Sequence, residues 1–216
     1  MEIYNSEEEQ IDAIKRWFKT NGSSTLIGLS IGVLLLFGWN YWKSYDLQQR
    51  EQASLQYQKL LGVVENKNKE GAQQLSQHII KEFGNTAYSA YAELIKVKLK
   101  VDSDDIDGAK AILEQLVTTA PDEGLKNVAR IRLVRLLLAT GQYEEGLKMI
   151  AEADPEKTAN FNAEYEELTG DLYLGLGRLG EARTSYQKAM VAGRQSPLLQ
   201  LKMGDVALPK LKEKTD

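Results

Sequence analysis

Charged and apolar residues are very unevenly distributed along this chain. No residue between Lys19 and Lys43 carries a charge, and Leu26 to Trp39 forms the apolar centre of that stretch. As a helix, Thr20 to Trp42 spans about 34 Å at roughly 1.5 Å per residue, enough for a hydrocarbon core of about 30 Å. A soluble core helix of that length needs a polar stripe, and none is present. We therefore read residues 22–42 as a transmembrane helix. A cleaved signal peptide would place small residues after the apolar run. Here the run exits into Phe37-Gly38-Trp39-Asn40-Tyr41-Trp42, and the segment before it is long and acidic, which predicts an uncleaved anchor. Trp17 on one side and Trp39 and Trp42 on the other, joined by Phe18, Tyr41 and Tyr45, mark two interfacial belts. Ser24, Gly28 and Gly32 recur every four residues and form a small-residue stripe where another helix could approach.

Before the span, Ser6-Glu7-Glu8-Glu9 matches a capping box, so a helix is expected to start there. Ile11, Ile14 and Phe18 then share a face flanked by Lys15, Arg16 and Lys19, which reads as a short amphipathic helix on the membrane surface. Residues 1–21 form this tail. Three basic residues before the span, against Lys43 and Arg50 after it, tilt the positive-inside rule only slightly toward a cytoplasmic N-terminus.

Past the span, the period changes. Residues 43–64 continue as a helical stalk merging into the first of a series of repeats, residues 65–208 form the repeat domain, and 209–216 a tail. Gly170, Tyr173, Gly177, Ala182, Tyr186 and Ala189 follow one another at spacings of 3, 4, 5, 4 and 3. That is the skeleton of a tetratricopeptide helix pair. Gly170 and Ala182 let two antiparallel helices approach, and Gly177 turns the chain where a positive φ is needed. Gly141-x-Tyr143-x-x-Gly146 repeats the turn 36 residues earlier. Ala109 with the turn Asp102 to Asp105, and more weakly Ala72, extend the series upstream. The fold class expected is all-α, an anchor helix followed by an α-solenoid.

Composition narrows the chemistry. The 216-residue chain has a formal net charge of -4, which gives nucleic-acid binding no electrostatic support. It has no cysteine, and His78 is its one histidine, so thiol chemistry, thiolate zinc sites and histidine metal clusters are excluded. No cofactor is expected. Carboxylate-only chemistry stays open, with Asp102, Asp104 and Asp105 in one group and Glu164, Glu166 and Glu167 in another, though such charge runs are usually solvated.

Several stretches resemble the YfgM family. They are Met1 to Tyr4, Glu9-Gln10, Ile14 to Phe18, Asn21-Gly22, Gly38 to Trp42, Ala53 to Tyr57, Leu168 to Leu172, and Lys202-Met203. The resemblance implies an ancillary, non-enzymatic subunit of the bacterial SecYEG translocon, set in the inner membrane. Its N-terminus would be cytoplasmic and its repeat domain periplasmic. A PpiD-like membrane-anchored chaperone and unfolded secretory proteins would be its partners. The alternative is a tether for a cytoplasmic response regulator, held through the N-terminal tail.

A solenoid offers a concave surface along the first helices of its pairs. Extrapolating the register gives candidate groove residues Tyr91, Leu94, Lys98 and Val101, then Val128, Ile131, Arg135 and Leu138, then Glu164, Glu167, Asp171 and Leu174. On this reading, aspartate at Leu94 and Ile131 would abolish partner binding and leave the domain folded.

Overall fold

The computed structural model describes residues 7–206, and every element within them is helical. The chain divides into two compact units, Met1–Glu51 and Gln52–Asp216. The first consists of the greater part of α1, Glu7–Glu65. A separate short helix before the span is expected from the sequence, but α1 runs on unbroken through Gly22. No proline interrupts it, and a new helix start would need a free cap. Thr20 and Thr25 instead turn their hydroxyls back to the carbonyls of Arg16 and Asn21, each at 2.9 Å. The capping box expected at Ser6 lies outside the described residues. Leu34, Leu35, Leu36 and Phe37 are between 68% and 73% exposed, and none of the apolar run is buried. So large a bare apolar surface fits a membrane anchor and not a soluble helix.

The second unit is a series of helix pairs. The end of α1 pairs with α2 (Lys69–Glu82), α3 (Ala87–Val101) with α4 (Ile106–Thr119), α5 (Glu123–Ala139) with α6 (Tyr143–Ala151), and α8 (Asn162–Gly175) with α9 (Leu179–Val191). The short α7 (Pro155–Thr158) and a turn of 3-10 helix connect the last two pairs, and α10 (Pro197–Asp205) follows α9.

One turn joins the two helices in all four pairs. Lys67, Asp104, Gly141 and Gly177 each take a positive φ, at 56°, 61°, 75° and 72°. The amide of the next residue then donates back to the carbonyl five residues earlier: Asn68 to Val63, Asp105 to Lys100, Gln142 to Leu137 and Arg178 to Tyr173, at 2.8 to 3.2 Å. These bonds occupy carbonyls that a helix end leaves unpaired. The last two turns use glycine, which adopts this conformation without a Cβ penalty. The first two do not, and a stronger cap follows them. Asn68 accepts from the Gly71 amide and Asp105 from the Gly108 amide, both at 2.9 Å, whereas Gln142 and Arg178 make no such bond.

Five residues after each positive-φ residue lies a buried small residue, in order Ala72, Ala109, Gly146 and Ala182. Separate hydrophobic clusters fill the spaces between helices. Leu60, Ile79 and Phe83 anchor the first, Leu113, Leu133 and Leu137 the second, Val134, Tyr165 and Leu172 the third, and Tyr186 and Leu199 the last. At about 25 cal/mol per Å2 of apolar surface removed from water, such clusters outweigh helix propensity as the source of stability.

Candidate interaction surface

The first helix of each pair carries the residues expected to line a groove, and the structure sorts them into three groups. Leu94 and Ile131 are 6% and 4% exposed and belong to the core, packed in the second and third clusters. Aspartate at either position would bury a charge without a partner and unfold the domain, which corrects the expectation of a folded variant that has lost its partner. Val128 and Leu138 are half-buried against the same clusters.

The second group is polar and bound within the molecule. Lys98 pairs with Asp102, and Arg135 pairs across helix pairs with Glu164. Glu167 is only 5% exposed, and its two oxygens accept from Arg194 Nε at 2.7 Å and Lys202 Nζ at 2.8 Å. Asp171 accepts from the same Lys202 at 2.7 Å and from the Tyr186 hydroxyl at 2.8 Å. Burial pushes the Glu167 carboxyl up, but the hydrogen bonds from Lys202 and Arg194 outweigh it and hold the carboxyl below the usual range. Burial pulls the Lys202 ammonium down, and Asp171 and Glu167 more than offset this, leaving it raised. These two carboxylates thus fasten α10 to α8.

The third group is exposed: Tyr91, Val101 and Leu174. Tyr91 is part of a trio. Its ring lies 5.6 Å from Tyr57 and 5.9 Å from Tyr88, with Tyr57 and Tyr88 at 5.8 Å. Sequence reasoning missed Tyr57. Extending the register one pair upstream, to Ser54, Tyr57, Leu61 and Val64, would have found it. Burial, with Tyr91 nearby, pushes the Tyr57 phenol up, and the Arg132 charge partly offsets this.

The remaining carboxylates have structural tasks. Asp105 caps α4 and accepts from Lys100, which together hold its carboxyl low. Asp104 occupies a positive-φ turn, and Glu166 pairs with Lys188 at 3.8 Å. His78 is exposed on α2, with its ring 6.3 Å from Phe83. In the first unit, Ser24, Gly28 and Gly32 are exposed, with no neighbouring atom near the place a Cβ would take at either glycine.

A family model described as a tetratricopeptide repeat-like domain matches residues 15–208. A protein of Haemophilus influenzae is 32% identical over 193 residues, covering 89% of this chain and 93% of its own length. One of Escherichia coli is 31% identical over 211 residues, covering 96% and 100%. Both bear the name ancillary SecYEG translocon subunit. Among solved structures, Pseudomonas aeruginosa pilF superposes with a TM-score of 0.59 at 17% identity, covering 74% of this chain and 69% of that one. MamA of Desulfovibrio magneticus does so at 0.55 and 18%, covering 71% and 82%. At such identities the structural likeness speaks for the helical-repeat fold.

Proposed function

This chain belongs to the family of ancillary SecYEG translocon subunits with a tetratricopeptide repeat-like domain, and on that premise we propose that it serves as a membrane-tethered, non-catalytic scaffold at the exit of the translocon. The observation that carries this reading is the near full-length match to relatives of that name, together with an apolar, unburied stretch of α1 that suits a bilayer. In this reading the anchor crosses the inner membrane with its N-terminus in the cytoplasm. The helix pairs then stand in the periplasm, where a PpiD-like chaperone and emerging unfolded chains can bind them. The Ser24, Gly28 and Gly32 face would meet a helix of the translocon or the chaperone. The groove offers Tyr91, Val101 and Leu174 to a partner, with Lys98, Arg135 and Glu164 as its polar rim.

Mild solubilisation with the anchor intact, native separation and identification of co-migrating proteins tests the reading. SecYEG and a PpiD-like chaperone should co-migrate. If neither does, and a cytoplasmic response regulator is retained instead, the scaffold reading is overturned and the N-terminal tail becomes the functional part. Deleting residues 2–10 should leave co-migration with the translocon intact.

A further inference from the structure

A cavity of about 260 Å3 opens between the first and second helix pairs, with Val64, Ile95 and Leu99 among its apolar walls. Lys67, Lys69, Lys98 and Asp102 stand around it. The other end of the solenoid has the same place filled. Tyr143 holds in the third pair the position that Lys69 holds in the first, two residues past the positive-φ turn. Gly175 holds in the fourth pair the position of Asp102 in the second. The Tyr143 ring lies so close over Gly175 that a Cβ there would meet it at 2.5 Å. An aromatic ring from the second helix of one pair therefore closes the notch beside the first helix of the next. In the first pair a lysine stands where the ring should be, and the notch stays open.

We propose that this cavity receives the aromatic side chain of an acidic partner segment, which supplies from outside the ring that Tyr143 supplies from within. Size limits the occupant. The volume falls below the roughly 300–1,000 Å3 of sites for drug-sized ligands, and it suits one bulky side chain. Charge sets what flanks that side chain. Lys98 is paired with Asp102, but Lys67 and Lys69, which also line the cavity, form no ion pair among the described residues, so two unpaired cationic side chains border whatever enters. Burying a ring in an apolar notch rimmed by cations selects an aromatic residue next to a carboxylate and rejects one next to a lysine. The proposal rests on the chain being an interaction protein, and it does not depend on which complex the chain joins.

The test uses the full chain in nanodiscs and a fluorescein-labelled peptide of Gly and Ser with a central Glu-Phe-Glu, with anisotropy read against empty nanodiscs. This peptide should bind at least about tenfold more tightly, about 1.4 kcal/mol, than versions with Ser for Phe, which loses the buried ring, or Lys for both Glu, which sets like charges against Lys67 and Lys69. Lys69→Tyr should weaken binding by about tenfold or more at an unchanged melting temperature. The exposed double variant Lys67→Glu/Lys69→Glu should do the same without occupying the cavity. Equal binding of either control peptide, intact binding by both variants, or no binding of the Phe peptide overturns the proposal. Because the peptide contains no translocon component, these failures leave co-migration with SecYEG standing. Loss of co-migration with peptide binding intact would overturn only the translocon reading.

Discussion

Gly170 lies under the ring of Tyr186, where even a Cβ would collide with it. The same two positions hold Leu60 and Ser76 in the first pair, Val97 and Leu113 in the second, and Val134 and Ile150 in the third. Large and small residues exchange places across the pair so that the volume stays filled, as close packing demands. Gly170→Val should therefore cost about 3 kcal/mol by overpacking. Adding Tyr186→Leu should return part of that loss in chemical denaturation, although the bond to Asp171 goes with the hydroxyl. Strictly additive costs would show that the two sites do not share their space. The first pair has the opposite fault. Ser76 is fully buried and its hydroxyl has no hydrogen-bond partner. Ser76→Ala should raise stability by about 1 kcal/mol by removing an unsatisfied polar group. A fall in the denaturation midpoint would mean that an unseen water satisfies it.

At the scale of elements, α10 is held by charge as well as by apolar contact. Leu199 is buried beside Tyr186, and Lys202 and Arg194 close on Glu167 from outside. The sign of the pH dependence follows. A carboxyl held below its unfolded value contributes stability that is full above about pH 4.3 and is lost as pH falls through the lower, folded pKa. Hydrogen exchange of α10, taken relative to the intrinsic amide rate at each pH, should therefore quicken on acidification below about pH 4. Glu167→Gln should quicken it already at neutral pH and flatten the acid dependence, with a global cost of about 2 kcal/mol for losing two charge-assisted bonds. Unchanged exchange would mean that apolar contact alone docks the helix. This network was not legible in the sequence, because Glu167 and its partners lie 27 and 35 residues apart and no periodic pattern links them. The turns were legible in proportion to their glycine content. Gly141 and Gly177 announce a positive φ, an acidic run hints at Asp104, and Lys67 gives no local sign. The groove register failed at Leu94 and Ile131 for a related reason. A helix flanked by neighbours on both sides buries a wide arc, so a stripe drawn at spacings of three and four crosses from the exposed face into the core.

For the molecule as a whole, the anchor was the most legible part, since twenty-three uncharged residues need no register to be recognised. Its direction was the least legible. Lys15, Arg16 and Lys19 precede the span, and Lys43 and Arg50 follow it. Orientation responds to basic residues near the ends and barely to acids, so Glu7, Glu8 and Glu9 count for little. The margin is then a single charge, and the proposed periplasmic placement of the helix pairs should be easy to upset. In the triple variant Lys15→Gln/Arg16→Gln/Lys19→Gln, both remaining basic residues lie on the far side. A C-terminal alkaline phosphatase fusion, active only when exported, should lose most of its activity, while the chain still fractionates with membranes. Restoring Lys19 alone should recover part of it. If the triple variant keeps full activity, charge bias does not orient this anchor. Docking of the N-terminal tail to a cytoplasmic or membrane partner would then become the better explanation, and deleting residues 2–10 from the triple variant should expose it by collapsing the remaining activity.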